Sequence, residues 1–171
     1  MRYNFPLAFQ TVLPQDYESD PDFIRLLSAL RDLAFAGVEL NIKQPNSVDT
    51  TALRRFLASY NLCCTMFATG LTARTEGLSL SDPDETVRAH SVSRTRDFID
   101  FASSMDAGVI IGFLKGRHIG EKARLRDFFR KSIEEIGRYA EAKKVHVLIE
   151  ATNRYESAVA NTLAETAGLI E

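Results

Sequence analysis

The chain has 171 residues, 45% hydrophobic and 26% charged, with a formal net charge of −2. That length and balance fit one globular domain with a core of useful size. The charge gives no reason to expect a nucleic acid or an anionic membrane surface as partner, and no apolar run approaches the roughly 20 residues of a membrane span.

The first residues, Met1 to Pro6, lack the long apolar segment of a signal peptide. Phe5 to Thr11 is a short apolar run, read as strand one, with Pro6 tolerated near its start. Ser19-Asp20-Pro21-Asp22 announces a helix: Asp20 can cap and Pro21 occupies the first helical position. Phe23, Leu26, Leu27, Leu30, Leu33 and Ala34 recur at helical spacing, and Gly37 is read as the end of that helix. Val38 to Ile42 alternates apolar and polar residues and is strand two, with Glu39 and Asn41 on one face. Asp49 or Thr50 caps the next helix, whose stripe is Leu53, Phe56, Leu57 and Tyr60. Leu62 to Ala68 is strand three. Its adjacent Cys63 and Cys64 read as small core residues, without the pattern of a disulfide framework or a zinc site. A reduced, cytoplasmic protein is the expectation.

Leu71 to Ser81 reads as a long loop, a feature that is usually functional. Asp82-Pro83-Asp84-Glu85 is a second proline-led helix start, with Glu85 placed for a capping box. That helix carries Val87, Phe98, Phe101 and Met105, and His90 falls on its surface. Ala107 to Leu114 is strand four, and Lys115-Gly116-Arg117-His118 follows as a basic, flexible loop. A fourth helix carries Leu125, Phe128, Phe129, Ile133, Ile136 and Tyr139. Val145 to Glu150 is strand five, and Thr162 to Glu165 is a third capping-box candidate opening a fifth helix.

Strand and helix thus alternate five times, the pattern of a parallel sheet with right-handed crossovers. Nearly continuous apolar strands predict burial on both faces. The sheet is either open and doubly wound or closed into a barrel. Strand one ends on Thr11-Val12-Leu13-Pro14 with no dinucleotide-binding glycine pattern. The inward parity of Glu39, Asn41, His146 and Glu150 favours a barrel with a wet interior.

Glu150 is the residue around which the chemistry gathers. A carboxylate at the end of an apolar strand is costly unless a metal, an arginine or a substrate pairs with it. Asn153, Arg154, Tyr155 and Glu156 follow in the next loop. Lys115, Arg117 and His118 can hold a carboxylate or phosphate, because arginine binds such groups bidentately; a solvated basic loop is the other reading. His146, two layers deeper than Glu150, reads as a core histidine.

The run Ile149-Glu150-x-x-Asn153-Arg154-Tyr155-Glu156, followed by Asn161-Thr162, resembles the strand-five motif of the xylose-isomerase-like sugar isomerase and ketose 3-epimerase superfamily. Gly37-Val38-Glu39-Leu40, Gly77 to Pro83, and Gly108 to Gly112 resemble its other segments. Lys115-Gly116-Arg117 is similar to the tripeptide after strand four in the branch containing 5-keto-L-gluconate epimerase. Ala151-Thr152 departs from the pattern, where relatives often have Pro-Leu or two apolar residues.

The resemblance implies a (β/α)8 TIM barrel, which takes about 250 residues and eight strands. Residues 1–171 then correspond to its first five-eighths, a partial domain without strands six to eight. It implies that Glu150 binds a divalent cation and is also the catalytic acid/base. Mn²⁺ or Mg²⁺ is the expected ion, with Zn²⁺ and Co²⁺ as further candidates. The remaining ligands, an Asp, a His and a second Glu, come from the later strands. It implies that Glu156 hydrogen-bonds substrate hydroxyls, with Asn153 and Arg154 orienting the loop and Lys115 and Arg117 at the substrate. The expected activity is isomerisation or epimerisation of a keto-sugar or keto-sugar acid through an enediolate. A hydroxypyruvate- or inositol-type isomerase, a dehydratase, and an apurinic-site endonuclease are rivals on the same scaffold. An incomplete barrel that self-associates or binds sugar without turnover is the non-enzymatic rival, and a homo-oligomer is expected from its open strand edges.

Overall fold

A computed structural model describes residues 5–117 and 120–170. The predicted His118 contribution, the first four residues and Glu171 lie outside the described residues. The elements are β1 (Ala8–Val12), α1 (Pro21–Asp32), β2 (Gly37–Asn41), α2 (Thr50–Ala58), β3 (Cys63–Ala68), α3 (Gly70–Glu76), α4 (Glu85–Met105), β4 (Gly108–Ile111), α5 (Lys122–Lys143), β5 (Val147–Ile149) and α6 (Leu163–Ile170). The five strands form one parallel sheet in chain order, β1-β2-β3-β4-β5. The alternation predicts this parallel sheet, and its five β/α units are consistent with the partial α/β barrel that the resemblance implies.

Local chemistry explains most boundaries. The Asp20 carboxylate accepts the Phe23 amide at 2.7 Å, and Pro21 opens α1. Asp49 accepts the amides of Thr51 and Ala52 at 2.8 and 3.0 Å and so starts α2. At α6, Thr162 Oγ1 accepts the Glu165 amide at 3.1 Å. The Glu165 carboxylate in return accepts the Asn161 amide at 2.7 Å, so the reciprocal cap reaches back one residue further than a standard capping box.

Several boundaries differ from the sequence expectation. Gly37 opens β2; α1 has already ended at Asp32, Leu33 is 70% exposed and Ala34 turns the chain with φ 59°. A Cβ on Gly37 would collide with the Cys63 carbonyl of β3, so the glycine serves strand packing. The expected loop 71–81 holds α3, closed by Gly77 at φ 67°. The cap of α4 is Asp84, which accepts the Thr86 amide at 2.8 Å; Glu85 is then the first helical residue and pairs with Arg88 instead of completing a box. β4 stops at Ile111, and a 3-10 turn takes Phe113–Lys115. Cys63 is exposed while Cys64 is buried, because successive strand residues face opposite sides and Cys63 begins an element.

The two faces of the sheet differ. Val38, Leu40, Phe67, Val109 and Ile111 are fully buried beneath the helices, each stabilising the fold by about 1.5–3 kcal/mol. On the other face the register lines up Gln10, Glu39, Met66 and Gly108, then Val12, Asn41, Ala68, Ile110 and Leu148. This concave face is open: Val12 is 53% and Leu148 49% exposed. Burial on both faces, the expectation from apolar strands, therefore fails on this side, where no layer among the described residues covers it. His146 is likewise exposed, not a core histidine, since its parity puts it on the open face. Among the described residues no helix is long and apolar enough to cross a membrane.

Candidate functional site

The carboxyl ends of the strands surround a cleft of about 340 Å³, lined by Asn41 of β2, Thr69 after β3, Gly112 after β4, and Glu150, Thr152 and Glu156 after β5. Gln10 and Arg74 reach it from β1 and α3. In barrels of parallel strands this end is where sites are built.

Glu150 is placed by three neighbours. Its amide donates to the Ile111 carbonyl at 3.0 Å, extending the β4–β5 ladder by one bond. Gly112 leaves room for its side chain: a Cβ there would meet the Glu150 carboxylate. Its backbone carbonyl accepts a hydrogen bond from Lys115 Nζ.

Lys115 is 0% exposed, contrary to the flexible basic loop expected from the sequence. Its ammonium also donates to the Ala160 carbonyl at 2.9 Å, while its own carbonyl accepts from Ser81 Oγ at 2.7 Å. It joins the turn after β4 to the end of β5 and to the segment entering α6. Burial pushes its pKa down to about 8, against the opposing pull of Glu150, Glu156 and Glu165. Glu39 also faces inward and pairs with Gln10 across β1 and β2. Burial raises its carboxyl above the ordinary value; the Gln10 hydrogen bond opposes this and the Glu150 charge adds to it.

The loop after β5 is shaped by its own polar side chains. Asn153 Oδ1 accepts the Tyr155 amide at 2.9 Å, and its carbonyl accepts the Glu156 amide at 3.0 Å. Asn161 Nδ2 donates to the carbonyls of Thr152 and Ser157 at 3.1 and 2.9 Å, tying the loop to the cap of α6. Asn153 thus builds the turn that aims Glu156 into the cleft. Arg154 is exposed on that turn. Arg117 donates to the Tyr155 carbonyl at 3.4 Å and sits 5.5 Å from the Phe113 ring centroid.

The structure therefore brings Glu150, Glu156 and Glu39 to one face and puts Lys115 behind Glu150. Arg74 and Thr152 were missed from sequence. Arg74 was hidden inside the stretch read as a loop, although Gly77 seven residues after Gly70 is the signal of a helix end. Thr152 Oγ1 is buried without a hydrogen-bond partner among the described residues, and only packing reveals that.

The donors at Glu150 are carboxylate oxygens, suited to a hard divalent cation such as Mg²⁺ or Mn²⁺. Gly112 clears the space that such a ligand requires. Among the described residues no group of three His, Cys, Asp or Glu comes together.

Comparison with known proteins follows the same lines. The sequence model of the xylose isomerase-like TIM barrel matches residues 27–171. A search of curated protein sequences finds no match. Among solved structures, an L-ribulose 3-epimerase superposes with a TM-score of 0.74 at 20% identity, over 96% of this chain and 56% of its own. A D-allulose 3-epimerase from Methylomonas sp., in complex with D-allulose, gives 0.73 at 16%, over 96% and 58%. An AP endonuclease, family 2, from Brucella melitensis gives 0.68 at 18%, over 97% and 64%. At such identities the likeness is one of fold, and the chain spans about three fifths of the length of these structures. With the match over most of the sequence and the parallel sheet that accompanies it, the chain belongs to the xylose isomerase-like TIM barrel family.

Proposed function

We propose that these five β/α units form part of a metal-dependent isomerase or epimerase of a keto-sugar or keto-sugar acid. The observation that carries this reading is the Glu150 carboxylate, laid against Gly112 at the end of β5 in the same cleft as Glu156.

Glu150 would hold the metal, with the further ligands that the resemblance implies supplied by later strands of a full barrel. A bound Mn²⁺ or Mg²⁺ supplies Lewis acidity toward the keto oxygen and the adjacent hydroxyl. Glu150 takes the proton from the carbon next to the carbonyl, leaving an enediolate. A second carboxyl group, protonated and facing the opposite side of that carbon, would give a proton and invert the centre. Glu156 accepts hydrogen bonds from hydroxyls beside the reacting carbon. Asn153 shapes its loop, and Arg154 and Arg117 stand at the rim. Lys115 holds the Glu150 backbone still, which matters because a misplaced base loses much of its effect.

The test is Mn²⁺-dependent exchange of a ketose carbon-bound proton with deuterium from D₂O, followed by NMR. Glu150→Gln is expected to abolish exchange. Undiminished exchange in that variant removes Glu150 as the base.

A second reading has its own support. Among the described residues β1 and β5 each pair on one side only, and Phe5, Leu7, Phe9, Val12 and Leu148 are exposed beside them. Unpaired edges with apolar neighbours associate, so the 171-residue chain is expected to form homo-oligomers. A monomer at all concentrations in analytical ultracentrifugation counts against it.

A further inference from the structure

A second cleft, of about 570 Å³, adjoins the one that holds Glu150. Arg74 and Phe113 line both, so the two share a wall at the Phe113 ring. Arg74 stands 4.4 Å from the Phe113 ring centroid and Arg117 5.5 Å from it. Two exposed guanidinium groups thus share one aromatic ring. Such stacking contributes only about 0.5–1 kcal/mol at exposed sites, and the like charges repel. Among the described residues neither guanidinium has a carboxylate within ion-pair distance. The arginines elsewhere on α1 and α4 do: Arg25 pairs with Asp22, and Arg94 binds Glu76 through two hydrogen bonds of 2.8 and 2.9 Å.

That Arg94–Glu76 pair holds the end of α3 to α4, and Thr72 Oγ1 holds α3 to the Ile42 carbonyl at 2.8 Å. Arg74 is therefore presented by a fixed helix. Ser79 lies against Gly116 in the same cleft, 7% exposed, and its Oγ has no hydrogen-bond partner among the described residues. An unmatched buried hydroxyl costs about 1–3 kcal/mol. Asp82 also lines the cleft; its carboxylate accepts the Asp84 amide at 2.9 Å. Within this second cleft two guanidinium groups face one carboxylate, while Glu150 and Glu156 stand in the adjoining cleft.

We infer that Arg74 and Arg117, braced on Phe113, bind the anionic end of the substrate, a carboxylate or phosphate on a sugar whose reacting carbon lies at Glu150. This rests on the proposed function for the reacting end, but the anion site stands on its own residues. Guanidinium groups bind both kinds of anion through paired N–H donors. The Phe113 ring, between the two clefts, packs against the apolar side of the sugar chain.

The test is calorimetric titration of the 171-residue protein with D-gluconate, ribose 5-phosphate and neutral D-fructose. The two anions are expected to bind more tightly than fructose, and Arg74→Gln and Arg117→Gln each to weaken them about tenfold while leaving fructose unaffected. Tighter binding of gluconate assigns a carboxylate, and of ribose 5-phosphate a phosphate. Both arginines are exposed, so neither variant threatens folding. Fructose binding as tightly as the anions overturns the inference, as do variants that bind the anions undiminished. Preference for an oligonucleotide with an abasic site over both small anions overturns it in favour of nucleic acid. Glu150→Gln separates the two ideas. Anion binding that persists where no proton exchange occurs refutes the epimerase reading alone. Exchange that persists while gluconate and ribose 5-phosphate bind no more tightly than fructose refutes the anion site alone.

Discussion

The two faces of the sheet are built from alternate residues of the same strands, and they do different work. The outer residues Val38, Leu40, Phe67, Val109 and Ile111 are wholly buried against helices. Their neighbours one position along, Glu39, Asn41, Ala68, Ile110 and Gly112, face the concave side with Glu150. The outer face holds the fold together; the inner one can carry charge because water reaches it. A carboxylate such as Glu39 or Glu150 on the outer face would lose its hydration with nothing to replace it.

The largest effect should come from the outer face. Phe67→Ala is expected to cost about 3–5 kcal/mol in urea denaturation, through lost burial and the cavity left behind. A loss below about 1 kcal/mol would mean that this face is not the core. Gly112→Ala comes next, at below about 1 kcal/mol, because the new methyl displaces the Glu150 carboxylate, the far end of an exposed side chain that can swing aside. Adding Glu150→Ala should return most of that loss, and additivity in the double-mutant cycle would show that the two positions do not touch.

Lys115 gives a comparison in pH. Its folded pKa, about 8, lies below its ordinary 10.5. Below pH 8 the ammonium is charged in both folded and unfolded chains, and its burial penalty is complete. Between about pH 8 and 10.5 the unfolded chain binds more protons, so the Lys115 contribution to stability rises with pH. The urea midpoint of the wild type minus that of Lys115→Met should therefore climb across this window. A flat difference would show that Lys115 is not desolvated. The smallest effect belongs to the open face: Leu148→Thr is expected to cost less than about 1 kcal/mol, since Leu148 is half exposed, while weakening self-association in ultracentrifugation. Unchanged association would move the contact away from this face.

Much of this architecture is legible in single residues. Asp20, Pro21 and Asp49 mark helix starts through short-range hydrogen bonds, and the alternation at Val38 to Ile42 marks a strand whose Glu39 and Asn41 share the inner face. The misreadings arise where two local signals compete. Asp82-Pro83 and Asp84 both propose a cap, and the chain uses Asp84. Gly37 looks like a helix end, but its small size is required by the Cys63 carbonyl on the neighbouring strand. The fragment Leu71 to Glu76 carries too few periodic apolar residues to announce α3, which is held by Thr72 and Arg94 from outside itself.

At the site the division is similar. The sequence alone determined that strands and helices alternate, that Glu150 ends a strand, and that Glu156 follows on a polar loop, because these depend on neighbours along the chain. Tertiary structure decided that Lys115 turns inward to the carbonyls of Glu150 and Ala160 while Arg117, two residues on, remains outside with Arg74 at Phe113. Both residues are cations in one short basic run. What separates them is the position of backbone acceptors 35 and 45 residues away in sequence, and no local pattern encodes those positions.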